Sequence, residues 1–387
     1  MIGKGVLDPA VSVNAFSASD PLVVTAAMIG LALLIIILLF LSYFTVLRAI
    51  AAYSYSNARF KAVGTPFLSR PMLESLSEST NLLDLSSRLS EYDYRVPQGP
   101  RVSIEELEEA LETETIRMLR NTLAATPDGS KPFFRAYLVR MDSLQVKKAL
   151  RAVRTGRKPN VHPAYYVDAN MVRLLAEAPA PQDVAEMVGD NFIGQALAEA
   201  VQQNPDEPVL WEMAIDRAAF KNIYGSIALL DDEIRAPIRE FYGRMADVYN
   251  INLLARAKSL GIIPSEVLSW TAQGGRELAQ WRLEQLAETQ DFQTFVSELD
   301  STSYGAYMKE KGLNPEQAPE LEHALDWHML DMVSELASKN TLLAGPALKF
   351  AFGKEREARN IMAVARAVAD GVGFADVEHF LIAEASR

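Results

Sequence analysis

Polar and apolar positions follow two patterns along this chain. From Pro21 to Leu47 no charged residue occurs, and Leu31–Phe40 is apolar throughout. About 20 such residues cross a hydrocarbon core of about 30 Å, so the run predicts a transmembrane helix over 21–47. Ala49-Ile50-Ala51 has the look of a signal cleavage site, but the apolar run is longer than in signal peptides and Arg48 intervenes, which predicts an uncleaved anchor. Beyond it, apolar residues recur at helical steps of three and four. Ala49, Tyr53, Ser56, Phe60 and Val63 form one semi-apolar face, which Gly64-Thr65-Pro66 stops. Ile238, Phe241, Tyr242, Met245, Val248, Tyr249 and Leu253 trace a second stripe. Runs of alternating β-branched residues are few, so the pattern predicts an all-α protein.

Helix ends are written into the same text. Ser103 with Glu106 predicts a capping box for a helix running to about Ala125, followed by a turn at Thr126–Ser130. A proline-started segment closing in Arg-Ala-x-x-x-Gly occurs three times. It runs from Pro132 to Arg151, Ala152 and Gly156; from Pro237 to Arg256, Ala257 and Gly261; and from Pro346 to Arg366, Ala367 and Gly371. Proline suits the first helical turn, glycine the left-handed residue past the end, and arginine the last turn. Upstream of each lies a similar helix start: Leu107-Glu108-Glu109-Ala110-Leu111-Glu112, Trp211-Glu212-Met213-Ala214-Ile215-Asp216 and Leu321-Glu322-His323-Ala324-Leu325-Asp326. Leu89 and Tyr94 match Leu299 and Tyr304, whereas the second copy has Leu197 and Gln202.

The unit is about 105 residues long, too long for a short-period solenoid. Three matching units of one chain can close around an axis as the members of a cyclic oligomer do, which predicts a pseudo-threefold funnel of three similar helical domains. The expected partition is a flexible tail at 1–20, the transmembrane helix at 21–47, and helical repeats at 48–160, 161–263 and 264–387. Arg157–Pro163 reads as a linker between the first two, with further breaks at Pro179–Pro181, Asn204–Pro208 and Gly312–Pro319. Phe374–Arg387 reads as a closing helix.

Charge narrows the function. A net charge of −12 opposes nucleic-acid binding, which rests on basic side chains. With no cysteine, disulfides, iron–sulfur clusters and thiol nucleophiles are excluded. Arg48, Arg59, Lys61 and Arg70 follow the apolar run against Lys4 before it, which predicts a single-pass membrane protein with its C-terminal body on the cytoplasmic side. No phosphate-binding Gly-x-x-x-x-Gly-Lys-Ser/Thr loop, His-Glu-x-x-His or Gly-x-Ser-x-Gly occurs. His323 and His328 are five residues apart and do not share a helix face. No catalytic residue, cofactor or metal site is therefore expected. Lys354-Glu355-Arg356-Glu357 and the acidic stretch from Glu105 to Glu114 read as solvated helix faces. The one candidate set is Arg151, Arg256 and Arg366, either plain helix terminators or a circle of partner contacts.

Three stretches carry a family resemblance: Tyr53-x-Tyr55-x-Asn57-Ala58-Arg59-Phe60-Lys61-Ala62, Asp247 to Gly261, and Lys354 to Ile361 with Arg366 and Gly371. In order and spacing the chain from about 53 to 385 resembles the C subunit of A/V-type rotary ATPases, homologous to the d subunit of eukaryotic V-ATPase. The resemblance implies a funnel of three helical domains. It also implies a non-catalytic adaptor coupling the membrane rotor ring to the central stalk, with ring subunits and stalk subunits D and F as partners. Family members typically begin near the Tyr-x-Tyr-x-Asn-Ala-Arg stretch; here a membrane anchor, touching lipid, precedes it. An anchor that turned with the ring would belong in the ring's lumen. The alternative is a membrane-anchored helical scaffold of another assembly.

Overall fold

Proline and glycine mark where the helices of this chain begin and end. The computed structural model describes residues 21–383, except 64–66, 93, 100, 159–160, 162–174, 176 and 190. The tail expected at 1–20, the helix stop at 64–66 and most of the 157–163 linker lie outside those residues. Among the described residues there is no strand; the fold is all-α.

The chain divides into two compact units, Met1–Ala51 and Ala52–Arg387. The described part of the first is entirely helix, within α1 (Pro21–Val63). The stretch Val23–Phe60 is long and apolar enough to cross a membrane. In the second unit, Tyr53, Ser56 and Phe60 of α1 are buried on one face, as their spacing predicts. Asn57 Nδ2 donates to the carbonyls of Thr341 (3.2 Å) and Leu343 (3.0 Å), and the Phe60 ring lies 5.3 Å from that of Phe350. The Tyr-x-Tyr-x-Asn-Ala-Arg-Phe stretch thus docks on the C-terminal third of the chain.

Among the described residues of this unit, three sets each end in two long helices preceded by shorter ones. The first set is α2 (Arg70–Ser77), α3 (Leu82–Ser90), α4 (Ile104–Ala125) and α5 (Lys131–Arg154). The second is α6 (Pro181–Val188), α7 (Phe192–Gln203), α8 (Pro208–Ser226) and α9 (Asp232–Leu260). In the third, α10 (Pro264–Leu268) comes first. Then follow α11 (Gln280–Glu288), α12 (Phe292–Glu298), α13 (Ser303–Lys311), α14 (Ala318–Lys339) and α15 (Gly345–Asp370). The N-caps Asn81, Asn191 and Asp291 each accept backbone N–H bonds at the matching helix of each set, α3, α7 and α12.

The Arg-Ala-x-x-x-Gly closing has a physical meaning. Gly156, Gly261 and Gly371 have φ of 65°, 69° and 69°, the left-handed form that only glycine takes without strain. In each case the alanine carbonyl accepts the N–H five residues on: Arg157 to Ala152 (2.9 Å), Ile262 to Ala257 (3.0 Å) and Val372 to Ala367 (2.8 Å). This is a Schellman stop in triplicate. The predicted capping box is present, with Glu106 N donating to Ser103 Oγ at 3.2 Å and Ser103 N to Glu106 Oε2 at 3.1 Å.

Two expectations need correction. Pro132 and Pro346 open their helices, but α9 starts at Asp232 and holds Pro237 inside. The extra turn is supported by Asp232 and Glu233 at the positive end of the helix dipole. The closing helix is short: α16 (Phe374–Val377) and one 3₁₀ turn end at Phe380, and 381–383 are not helical, with 384–387 outside the described residues.

Candidate functional site

Each long closing helix packs along the penultimate helix of the next set: α5 on α8, α9 on α14, and α15 back on α4. The three sets are joined in a closed cycle. Aromatic side chains from the first halves of the long helices α5, α9 and α15 meet one another. Phe241 lies 6.1 Å from Phe133, 6.3 Å from Tyr137 and 6.3 Å from Phe352, ring to ring. Beside them a largely covered ionic group bridges the first and third sets. Arg140 of α5 pairs with Glu355 of α15, and the Tyr137 hydroxyl donates to the same carboxylate. Burial alone would raise the Glu355 carboxyl, but the Arg140 guanidinium more than offsets it and holds it below the usual range.

The three sequence-predicted arginines sit at the rim of this cycle and serve as its fasteners. Arg151 donates through Nε to Glu212 Oε1 at 2.7 Å; Arg256 pairs with Glu322; Arg366 donates to Glu108 Oε1 at 2.8 Å. Each glutamate is the second residue of a repeated Leu/Trp-Glu helix start, so arginine of set one grips set two, two grips three, and three grips one. The glutamate hydrogen bond also raises the Arg151 guanidinium above its ordinary value, against burial. The arginine side chains remain 61%, 60% and 64% exposed. Pairs that open to water contribute about 0.2–1 kcal/mol. Arg256→Ala should therefore lower unfolding stability by less than about 1 kcal/mol in a urea titration.

The stronger fastening lies on the inner faces of the long helices. In α9, Gly243, Asp247 and Asn250 share one face at i, i+4 and i+7; in α15, Gly353, Glu357 and Asn360 do the same. Asn250 accepts from Ala272 N (2.7 Å) and donates to Ala272 O (2.9 Å). Asn360 treats Ile382 identically, at 2.9 and 2.7 Å. Asp247 accepts from the N–H groups of Arg276 (3.0 Å), Glu277 (2.7 Å) and Leu278 (3.2 Å), and from the Tyr304 hydroxyl (2.9 Å). Glu357 accepts from Leu68 N at 2.7 Å and from the Tyr94 hydroxyl. The glycines admit the approaching chain: a Cβ on Gly243 would lie 3.1 Å from Arg276 N, and one on Gly353 2.4 Å from the Phe67 ring. Even the cation is repeated, with Arg244 over the Tyr304 ring at 5.7 Å and Lys354 over Tyr94 at 5.6 Å. The strip binds set two to set three and set three to set one. In α5 the matching positions are Leu138, Asp142 and Gln145, the last two also buried.

The expectation of solvated faces for the charged stretches is thus corrected in part. Lys354 and Glu357 are buried, Arg356 pairs with Asp326 while mostly covered, and Glu355 faces Arg140. On α4, Glu114 is buried and accepts from Arg117 Nε at 2.8 Å, and Glu108 is a fastener, while Glu105 is exposed. His323 accepts from Trp327 Nε1 at 3.0 Å, and His328 is buried between tyrosines. Among the described residues no group of His, Cys, Asp and Glu has a metal-holding arrangement.

Compared with known proteins, residues 56–377 match the family model described as ATP synthase (C/AC39) subunit. The A-type ATP synthase C subunit of Thermococcus onnurineus is 27% identical over 331 residues, covering 83% of this chain and 87% of the relative. The protein of that name from Desulfurococcus sp. is 26% identical over 83% of this chain and 88% of its own length. The one from Methanosphaera stadtmanae is 23% identical over 92% of this chain and 94% of its own length.

Proposed function

The chain belongs to the ATP synthase (C/AC39) subunit family, and on that premise we propose that it is the non-catalytic adaptor between the membrane rotor ring and the central stalk of an A/V-type rotary ATPase. The observation that carries this reading is the closed cycle of fasteners, Arg151–Glu212, Arg256–Glu322 and Arg366–Glu108. An open array would slip at its first or last repeat under a twisting load; a cycle has no free end. The partners are the ring subunits and stalk subunits D and F. ATP chemistry belongs to other members of the complex, because no phosphate-binding loop is present. The rim, with Arg151, Arg256 and Arg366 more than half exposed, is the face offered to a partner.

The uncharged stretch from Pro21 to Leu47 anchors the adaptor in the cell membrane, with the body on the cytoplasmic side. An anchor that turns with the ring and lies outside it would strike the stator once per revolution, so it occupies the ring's lumen. Purification of the tagged full chain in mild detergent should recover ring and stalk subunits with one copy of this chain per complex. Recovery without them would overturn the adaptor reading, and photo-cross-links from residues 30–40 to stator subunits would overturn the lumen position.

A further inference from the structure

The three Schellman stops are alike in backbone and unlike in chemistry. From the residue after each fastening arginine through the seventh, the formal charge is +3 at Ala152–Lys158, +1 at Ala257–Ile263 and −1 at Ala367–Gly373. In the first corner Arg154, Arg157 and Lys158 are exposed and make no ion pair among the described residues. In the second, Lys258 is turned away to the backbone carbonyl of Thr289, which leaves Leu260 at 65% and Ile263 at 59% exposure as the presented surface. In the third, Asp370 and Asp376 are exposed beside Val372. Basic residues at a helix C-terminus serve the helix itself, but Asp370 in the last turn of α15 opposes the dipole, and Leu260 and Ile263 leave more than half of their surface open to water. The cyclic fasteners bring all three corners to the same rim.

We propose that these corners form a key: a single protein partner docks on the rim in one angular setting, with an acidic segment over Arg154, Arg157 and Lys158 and an apolar segment over Leu260 and Ile263. The inference rests on the adaptor reading for the occasion of docking, but the partner's chemistry comes from the corners alone. A rim with three equal corners would accept a partner in three settings 120° apart; unequal charge removes two of them, since like charges set face to face oppose docking. An anionic membrane fits less well, because its uniform surface attracts the first corner and repels the third.

The test uses the full chain in its detergent-solubilised complex. A photo-cross-linking amino acid replaces Lys158, Leu260 or Val372, one at a time, all three positions being exposed. The expected result is three different peptides from one partner chain, the peptide at position 158 being rich in Asp and Glu. The same mixture from all three positions, lipid alone at 158, or no cross-link at any position would overturn the key. The variant R154E/R157E/K158E should lower recovery of that partner about tenfold at low salt, with helical content unchanged; undiminished recovery would also overturn it. The adaptor reading fails separately, if the wild-type chain copurifies with no rotary ATPase component, whatever the cross-linked peptides are.

Discussion

Asp247→Ala is expected to remove about 3–6 kcal/mol of stability from the body of the protein. The side chain is fully buried in α9 and satisfies three backbone N–H groups and one hydroxyl. Alanine supplies no acceptor, and one water in place of the carboxylate would accept only two of these hydrogen bonds. Each buried donor left without a partner costs about 1–3 kcal/mol. Domains of ordinary stability hold only about 5–15 kcal/mol in total, so the variant should lose a large share of its stability. Asp247→Asn keeps the shape and one acceptor oxygen and should fall between the two. Urea unfolding of the full chain in detergent reads all three; a loss below about 1 kcal/mol for the alanine variant would mean that the loop is held by other contacts.

Acid should loosen the third set through His328. It lies on α14 between the rings of Tyr304 and Tyr307, each 5.0 Å away, and its Nδ1 has no partner. Burial, and then the positive charge of Arg244, push the imidazole down to about 4, although Glu277 and Asp331 pull the other way. The folded state therefore prefers neutral histidine. Its contribution is complete above the unfolded value of about 6.5 and is lost as pH falls from there through about 4. That gap corresponds to about 3 kcal/mol. Carboxylates titrate in the same window, so the comparison is between wild type and His328→Phe, which should show a shallower loss of stability between about pH 6.5 and 4.5. Equal slopes would contradict the assignment.

The repeated helix ends were legible because they are local. Glycine at positive φ, proline in a first turn and the Ser103–Glu106 box each depend on residues a few positions apart. The apolar stripe of α9 was legible for the same reason, with Ile238, Phe241 and Tyr242 buried as their spacing requires. The inter-repeat fastening was not. Glu355 looks like one member of a soluble charge run until Arg140, 215 residues earlier, is brought beside it. A signal did exist: Tyr242-Gly243-Arg244 with Asp247, Asn250 and Ile251 matches Phe352-Gly353-Lys354 with Glu357, Asn360 and Ile361. An acid and an amide repeated on the inner side of an otherwise apolar stripe mark a place where backbone from elsewhere must be met. Pro237 misleads because a proline near a helix start reads as the start itself; only the carboxylates before it reveal the added turn.

The bond from Arg366 to Glu108 crosses 258 positions of the chain. While the protein is being made, α4 leaves the ribosome long before α15 exists, and the side of α4 that α15 will cover must wait bare. Contacts so distant in sequence slow folding and leave sticky surface open to mispairing in the interval. The body should therefore acquire its final form only after synthesis ends, and a chain released a few dozen residues early should clump rather than persist as two good thirds.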